Sequence, residues 1–247
     1  MTASFQGLPV TDALDLLRSG DLVAEGRLTT ASNATLYCTI TAGGRSAPCV
    51  YKPVAGERPL WDFPEGTLAG REVAAFAVSD ALGWDIVPPT VHRDGPFGEG
   101  MVQLWVDGDP EVDLIDLARD VRHPGLRRMA VFDAVINNSD RKIGHLLPTR
   151  DGHLYGCDHG VSFAEDYKLR TVLWQWQGEP LTAESLAALE SLHAQLTAPD
   201  STVSTELARH LTRPEGYAVR RRVELLREHR IHPYPSPEWP SVPWPPV

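Results

Sequence analysis

Two short polar segments, residues 137–145 and 157–160, contain the side chains of this sequence that are best suited to chemistry. The first has two Asn, one Ser, one Asp, one Arg and one Lys within six positions, and the second places Asp158 before a His and a Gly. A carboxylate can accept a proton or bind a hard metal ion, and neighbouring cations can neutralise an anion. We interpret the segments as a centre for phosphoryl transfer. The alternative is a polar connection in which Asn and Asp simply favour turns.

The segment before the first loop is expected to be a buried helix. Residues 126–136 are apolar on nearly every side of a helix, which is typical of an element that runs through a core. Such a helix would give the polar loop a rigid base, and loops on rigid scaffolds often carry function. Asp133 interrupts the apolar run, and we expect it to be a hydrogen-bonded core carboxylate rather than a catalytic group.

The first half of the sequence predicts a small antiparallel sheet. Residues 11–19 read as a helix that ends at Gly20, and Gly43-Gly44 predicts a tight turn between two strands. Five strands are expected, at residues 22–28, 35–41, 47–54, 86–91 and 100–106. A second helix is expected at residues 68–82, with an apolar face beside which Glu72 lies.

Three polar features of this half could face an anionic ligand. Lys52 lies in the third strand, and Glu72 on the next helix is a possible ion-pair partner 20 residues later. The turn at residues 29–34 contains Ser32 and Asn33, and its backbone amides could bind a phosphate. A plain hairpin loop explains the same turn equally well.

The second half reads as mainly helical, so the predicted fold class is α+β with two lobes. Helices are expected at residues 112–119, 124–137, 182–194, 202–211 and 214–229. We predict a β-rich nucleotide-binding lobe at 1–107, a helical catalytic lobe at 108–232 and a proline-rich tail at 233–247. A cleft at the junction of two lobes is a favoured place for a ligand.

Composition narrows the classes of partner. The formal net charge of −10 argues against nucleic acid and against adsorption to an anionic membrane surface. The sequence contains no apolar run of about 18 residues and no signal peptide at its start. Its three widely spaced cysteines suggest neither a disulfide framework nor a zinc site. We therefore expect a cytoplasmic protein without integral membrane contact.

The order of four residues resembles a protein-kinase-like fold. Lys52, Glu72, Asp140 and Asp158 follow one another as do the strand Lys, the helix Glu, the catalytic Asp and the metal-binding Asp of kinases. The loop Asp-Arg-Lys-Ile-Gly-His at 140–145 looks most like that of the phosphatidylinositol 3- and 4-kinase-like branch, which includes the HipA-type bacterial kinases. Within that branch the sequence resembles an actinobacterial group. Two positions depart from the family: His145 replaces an Asn, and His159 replaces the Phe of Asp-Phe-Gly.

This resemblance implies a role for each residue of the two loops. Asp140 would orient the acceptor hydroxyl or accept its proton, and Lys142 would place positive charge near the transferred phosphate. Arg141 would either assist catalysis or form a salt bridge within the loop. Asp158 would hold magnesium. His145 would either be a second ligand, in which case manganese should serve at least as well as magnesium, or it would not bind the metal, and one ion would be held mainly by Asp158.

The resemblance also implies ATP as the phosphate donor. Lys52, held by Glu72, would contact the α- and β-phosphates, and the backbone near Gln103, Trp105 and Val106 would face the adenine. The acceptor would be an unidentified protein or small alcohol, and a lipid is not favoured. A nucleotidyl transferase and a nucleotide-binding pseudokinase that regulates a partner remain as alternatives.

Overall fold

In the part of the chain that the structure describes, a five-stranded antiparallel sheet and seven α-helices account for most of the fold. The computed structural model describes residues 4–5, 8–28 and 33–247. The strands of the sheet are Asp21–Arg27 (β3), Leu36–Ala42 (β4), Arg45–Pro53 (β5), Thr90–Gly95 (β6) and Gly98–Leu104 (β7). Their order across the sheet is β3-β4-β5-β7-β6. A two-stranded ribbon, Ser4–Phe5 (β1) and Leu8–Pro9 (β2), precedes Val10–Ser19 (α1). Gly43 and Gly44 have positive φ and make the turn between β4 and β5.

The helix Leu68–Leu82 (α2) packs against this sheet and also contacts the helical half. It is buried on almost every side, because the sheet covers one face and later helices cover the others. Arg71 of α2 is buried and forms an ion pair with Glu215, and its Nη1 donates to the carbonyl of Ser162 at 2.7 Å. These contacts join the β-rich half to the helical half next to the two polar loops.

The helical half is built around Pro124–Ile136 (α4), which is the buried helix that the apolar run predicts. The remaining elements are Leu114–Arg119 (α3), the hairpin Leu146–Pro148 (β8) and Leu154–Gly156 (β9), and the helices Ala183–Thr197 (α5), Thr202–His210 (α6) and Arg213–His229 (α7). Side chains of Val131, Phe132, Val135 and Ile136 are fully buried. No helix in the described part of the chain is both long and apolar enough to cross a bilayer.

One predicted strand is misplaced. The strand expected at 86–91 forms instead at Thr90–Gly95, and its turn to β7 lies at Pro96 and Phe97. Pro88 and Pro89 have no N–H to donate to a sheet ladder. The amides of Ile86 and Val87 donate instead to the Ser79 hydroxyl, at 2.9 and 3.0 Å. The other strands and helices agree with the sequence predictions to within a few residues, and the proposed lobe boundaries remain a prediction.

Candidate active site

Lys52 lies at the centre of a charged cluster between the two halves of the chain. Its Nζ is 2.7 Å from Oε1 of Glu72 and 2.9 Å from Oδ1 of Asp158. Strand β5 carries the Lys and helix α2 carries the Glu, so packing of α2 on the sheet brings them together. Burial favours the neutral carboxyl of Glu72, but the charge of Lys52 and the contacts from His159 together outweigh it and lower the pKa of Glu72 to about 2. Lys52 likewise lowers the pKa of Asp158, and both carboxylates raise the pKa of Lys52.

The end of α4 fixes the first polar loop. Asn137 adopts a left-handed conformation with φ of 54°, and its side-chain amide donates to the carbonyls of Ala164 and Asp166 at 2.9 and 2.7 Å. Asn138 donates to Asp133 at 3.0 Å and accepts the amide hydrogen of Asp140 at 3.0 Å. The two Asn residues therefore act as structural clamps, and they hold the backbone at Asp140 in one conformation.

Arg141 does not face the cleft. Its fully buried guanidinium donates through Nε and Nη2 to Asp133, with a shortest distance of 2.8 Å, and through Nη1 to the carbonyl of Cys157 at 3.2 Å. Of the two roles open for Arg141, these contacts favour the salt bridge within the loop, and a catalytic role stays a prediction without a contact that supports it. Asp133 is the hydrogen-bonded core carboxylate that the sequence predicts. This buried pair connects α4 to both polar loops.

His159 extends the pair toward Glu72. Nη2 of Arg141 lies 2.8 Å from Nε2 of His159, so this nitrogen accepts, and the ring proton is on Nδ1. That Nδ1 lies 3.7 Å from Oε2 of Glu72, and the amide of His159 donates to the same oxygen at 2.9 Å. Burial and the neighbouring Arg141 lower the pKa of His159. A neutral imidazole therefore occupies this buried position after Asp158 and adds polar contacts there.

Asp140 and Lys142 form the exposed side of the loop. Nζ of Lys142 lies 3.1 Å from Oδ2 of Asp140, and both side chains are about a quarter exposed, at 23% and 28%. Partial burial raises the pKa of Asp140 and the charge of Lys142 opposes the rise. Both side chains are thus partly accessible to solvent, unlike that of Arg141, and Lys142 also lines the cavity described below.

His145 lies close to Asp158, as the loop spacing suggests. Its Nε2 is 3.6 Å from Oδ2 of Asp158, while its Nδ1 accepts the backbone amide of Lys142 at 3.3 Å. The neutral ring therefore carries its proton on Nε2, the nitrogen that faces Asp158. Burial lowers the pKa of His145 to about 4, so the ring is neutral at physiological pH. Binding a metal through Nε2 would require the proton to move and the bond from Lys142 to break.

A cavity of about 580 Å³ opens between the sheet and these loops. This volume lies within the usual range for small-molecule sites. Its walls include Lys52, Lys142, His145 and Asp158, and also the predicted nucleotide-binding residues Asn33, Gln103, Trp105 and Val106. Glu72 is not part of the wall, but it forms an ion pair with Lys52, which is. Ser32 lies outside the described residues.

The residues predicted to bind a nucleotide differ in which of their polar groups already form hydrogen bonds within the protein. Gln103 donates its side-chain amide to Thr90 Oγ1 at 2.8 Å, so its side chain is used within the sheet. The amides of Leu104 and Trp105 donate to the carbonyls of Pro89 and Pro48, each at 3.0 Å. Asn33 accepts the amide of Arg58 at 3.0 Å, which ties the turn before β4 to the segment after β5. Their contacts with a base or phosphate remain predictions.

The sequence analysis missed part of the cavity wall. Pro245 and Val247 of the tail line the cavity beside Lys142, and the carbonyl of Pro246 accepts the amide of Ile143 at 2.9 Å. The tail therefore lies against its own chain at this point. The seven prolines at 233–247 indicate an extended segment, but composition gives no information about where such a segment lies.

The side chains around the cavity suit a metal ion whose ligands come partly from the protein and partly from a nucleotide. Among the described residues, no three His, Cys, Asp or Glu side chains are grouped closely enough to hold a metal ion by themselves. Magnesium in nucleotide sites usually takes one or two carboxylates, with phosphate oxygens and water completing its shell. Asp158, whose side chain is 45% exposed and beside the cavity, fits that requirement.

Comparison with known proteins adds relatives and a fold neighbour. No protein-family model matches the sequence. The chain is 44% identical over 279 aligned positions to the Mycobacterium tuberculosis protein Rv2133c, and the alignment covers 97% of this chain and 98% of that protein. It is 28% identical over 207 positions to phosphatidylinositol 4-kinase gamma 4 of Oryza sativa subsp. japonica, covering 68% of this chain but only 36% of the plant protein.

Among solved structures, the Helicobacter pylori proinflammatory kinase CtkA matches 87% of this chain and 94% of its own, with a TM-score of 0.52 and 11% identity. At that identity the match shows the fold alone. The chain therefore has an α+β, two-lobed kinase-like fold, as predicted.

Proposed function

Since the chain belongs to the family of the Mycobacterium tuberculosis protein Rv2133c, we propose that it and its relatives are ATP- and magnesium-dependent phosphotransferases. The similarity to a plant phosphatidylinositol 4-kinase and the fold shared with CtkA support a kinase-type phosphotransferase in general. The finer assignment proposed here is an atypical kinase that transfers a phosphoryl group from ATP to a hydroxyl group.

The observation that carries this proposal is the position of Lys52. Its ammonium bridges Glu72 and Asp158 at the wall of a cavity of about 580 Å³, on whose other side Lys142 is exposed next to Asp140. Phosphoryl transfer requires charge neutralisation and positioning more than covalent participation. A cavity with two lysines, an ionised carboxylate for a metal and a second carboxylate beside them offers those functions.

Each residue then has a specific task. Lys52 binds nucleotide phosphates, and Glu72 holds its ammonium in place. Asp158 binds magnesium, which supplies positive charge at the phosphates when it is present. Asp140 accepts the proton of the acceptor hydroxyl, and Lys142 stabilises negative charge on the transferred group. Arg141 and Asp133 position the loop from within the core.

One observation favours a second candidate, a nucleotide-binding pseudokinase. The bond from the Lys142 amide to Nδ1 of His145 keeps the proton of His145 on the nitrogen that faces Asp158, which disfavours its use as a metal ligand. Because Lys52, Glu72, Asp140 and Asp158 are all retained, we favour an active enzyme.

Mass spectrometry and calorimetry test the proposed function. We expect a phosphoryl group to appear on an acceptor or on the protein itself after incubation with ATP and magnesium. We also expect Asp158→Ala to weaken magnesium-dependent ATP binding by about tenfold or more, which corresponds to ~1.4 kcal/mol. Asp151→Ala, in the exposed turn between β8 and β9, is the matched control and should bind like wild type.

Three results would contradict this assignment in different ways. An adenylyl group in place of a phosphoryl group would identify a nucleotidyl transferase. ATP binding without transfer to any acceptor and without hydrolysis would identify a pseudokinase. Unchanged magnesium-dependent affinity of Asp158→Ala would remove Asp158 from the metal site.

His145→Asn tests the second metal position. An Asn side chain offers an amide oxygen, which magnesium prefers to the nitrogen of imidazole, whereas manganese accepts nitrogen more readily. If His145 binds the metal, we expect the variant to shift the ratio of magnesium-supported to manganese-supported turnover at least about threefold toward magnesium. Metal titrations of ATP turnover measure this ratio. An unchanged ratio would make His145 a structural residue that donates to Asp158.

A further inference from the structure

The tail follows a continuous path across the helical half of the chain to the candidate active site. After α7, Ile231 pairs with Pro180, and the carbonyl of Tyr234 accepts the hydroxyl of Tyr167 at 2.6 Å. Trp239 then stacks on Trp61 with ring centroids 6.1 Å apart. The end of the tail contacts Ile143 in the loop that carries Asp140, and it lines the cavity with Pro245 and Val247.

Main-chain hydrogen bonds hold the part of the tail that lies nearest the catalytic loop. The carbonyl of Ser241 accepts the amide of Thr171 at 3.0 Å and the indole N–H of Trp174 at 2.7 Å. Thr171 is itself paired with Arg141, and the amide of Ile143 donates to the carbonyl of Pro246. Two main-chain carbonyls of the tail, those of Ser241 and Pro246, therefore hold it beside the loop that carries Asp140.

An aromatic contact anchors the same segment at its other end. The ammonium of Lys168 lies 4.6 Å from the ring centroid of Trp239 and 5.3 Å from that of Trp61, and it is 3.2 Å from Oδ2 of Asp62. Trp61 and Asp62 precede α2, whereas Lys168 follows the second polar loop. Trp239 thus touches both halves of the chain at the edge of the cleft.

We propose that the groove in which the tail contacts Ile143, Thr171 and Trp174 is the acceptor-binding site. In this proposal the acceptor is an extended polypeptide, and residues 239–247 occupy its place within the same chain. The groove presents three N–H donors, the amides of Ile143 and Thr171 and the indole of Trp174, to two main-chain carbonyls of the tail, and any polypeptide carries such carbonyls. Pro245 and Val247 form part of the wall of the cavity of about 580 Å³ and leave its volume open, so the tail bounds the nucleotide cavity without filling it. This inference rests on the proposed function, because it names the acceptor of that reaction.

Release of the tail from the full-length protein tests the inference. Trp239→Ala removes the stacking and cation–π contacts, and Trp244→Ala is the matched control, because Trp244 lies in the same tail but is 86% exposed. We expect Trp239→Ala to raise transfer of phosphate to dephosphorylated casein about fivefold or more. Hydrogen exchange at the amides of Ile143 and Thr171 should accelerate in the same variant. Acceptor-free ATP hydrolysis should stay unchanged.

A binding measurement gives a readout that does not depend on catalysis. A fluorescent peptide with the sequence of residues 235–247 should bind Trp239→Ala at least about fivefold more tightly than wild type, because the covalently attached tail no longer competes effectively. Trp61→Ala, which removes the stacking partner at an exposed position, should act in the same direction.

The outcomes separate this inference from the proposed function. Equal casein phosphorylation by wild type and both tail-releasing variants, with ATP hydrolysis intact, would overturn the inference alone. Increased transfer to phosphatidylinositol vesicles but not to casein would also overturn it, in favour of a lipid acceptor. Absence of ATP binding and hydrolysis in every variant would contradict the proposed function, while tighter peptide binding would still support a polypeptide groove.

Discussion

Asp140→Asn is expected to reduce phosphoryl transfer by at least ~100-fold, equivalent to about 2.7 kcal/mol of transition-state stabilisation. The amide keeps the size and the loop hydrogen bond to Asn138, which involves only the backbone of residue 140. It cannot accept a proton, however, and it removes the negative charge that holds Lys142 at 3.1 Å. Affinity for ATP with magnesium should remain within a few-fold of wild type, because Lys52 and Asp158 are untouched.

The pH dependence of turnover provides an independent check on Asp140. Burial raises the pKa of Asp140, and only its ionised form can accept a proton, so activity should fall as pH decreases through this raised pKa. The Asn variant should lack this acidic limb. Single-turnover kinetics from pH 4 to 8 would measure both effects, with Asp151→Asn as the exposed control. Turnover comparable to wild type would remove Asp140 from the catalytic role.

Asp133→Ala is expected to lower the free energy of unfolding by about 3–5 kcal/mol, because it leaves the guanidinium of Arg141 buried without its carboxylate. Both side chains of the pair are fully buried, and Asp133 also accepts from Asn138 and Thr171. The substitution thus leaves several donors without a partner where water cannot replace the carboxylate. Chemical denaturation, with the midpoint and slope fitted separately, would measure the loss.

An exposed ion pair of the same length is the matched control for this stability effect. Arg45 and Asp12 are also 2.8 Å apart, but their side chains are 61% and 39% exposed. Asp12→Ala should therefore cost no more than about 1 kcal/mol. A similar loss for both variants would mean that burial of the Arg141 pair adds nothing to its importance.

The sequence predicted those parts of the fold that depend on local pattern. The span of α2 was predicted exactly as observed at Leu68–Leu82, and that of α4 within one residue, because continuous apolar runs leave little choice of structure. The resemblance to kinases also brought Lys52, Glu72 and Asp158 into one hypothesis, and the structure puts both carboxylates in contact with Lys52. Their catalytic and binding roles remain predictions.

Features that depend on contacts distant in sequence could not be predicted in this way. Whether Arg141 faces the cleft depends on Asp133, which lies eight positions earlier and is oriented by the helix. The proton position on His145 depends on a single backbone amide. The path of the tail depends on the ring of Trp61 and the ammonium of Lys168, both far from Trp239 in the sequence. No local periodicity encodes these pairings.

The double ion pair of Lys52 has a thermodynamic consequence for ligand binding. Asp158 cannot give its full charge to a cation while Lys52 shares it, and Lys52 cannot give its full charge to an anion while Asp158 holds it. A nucleotide that draws Lys52 away therefore frees Asp158, and a divalent cation at Asp158 frees Lys52. By linkage, each ligand should raise the affinity for the other by the same factor. Magnesium and ATP should accordingly bind with positive cooperativity, and either one alone should bind weakly.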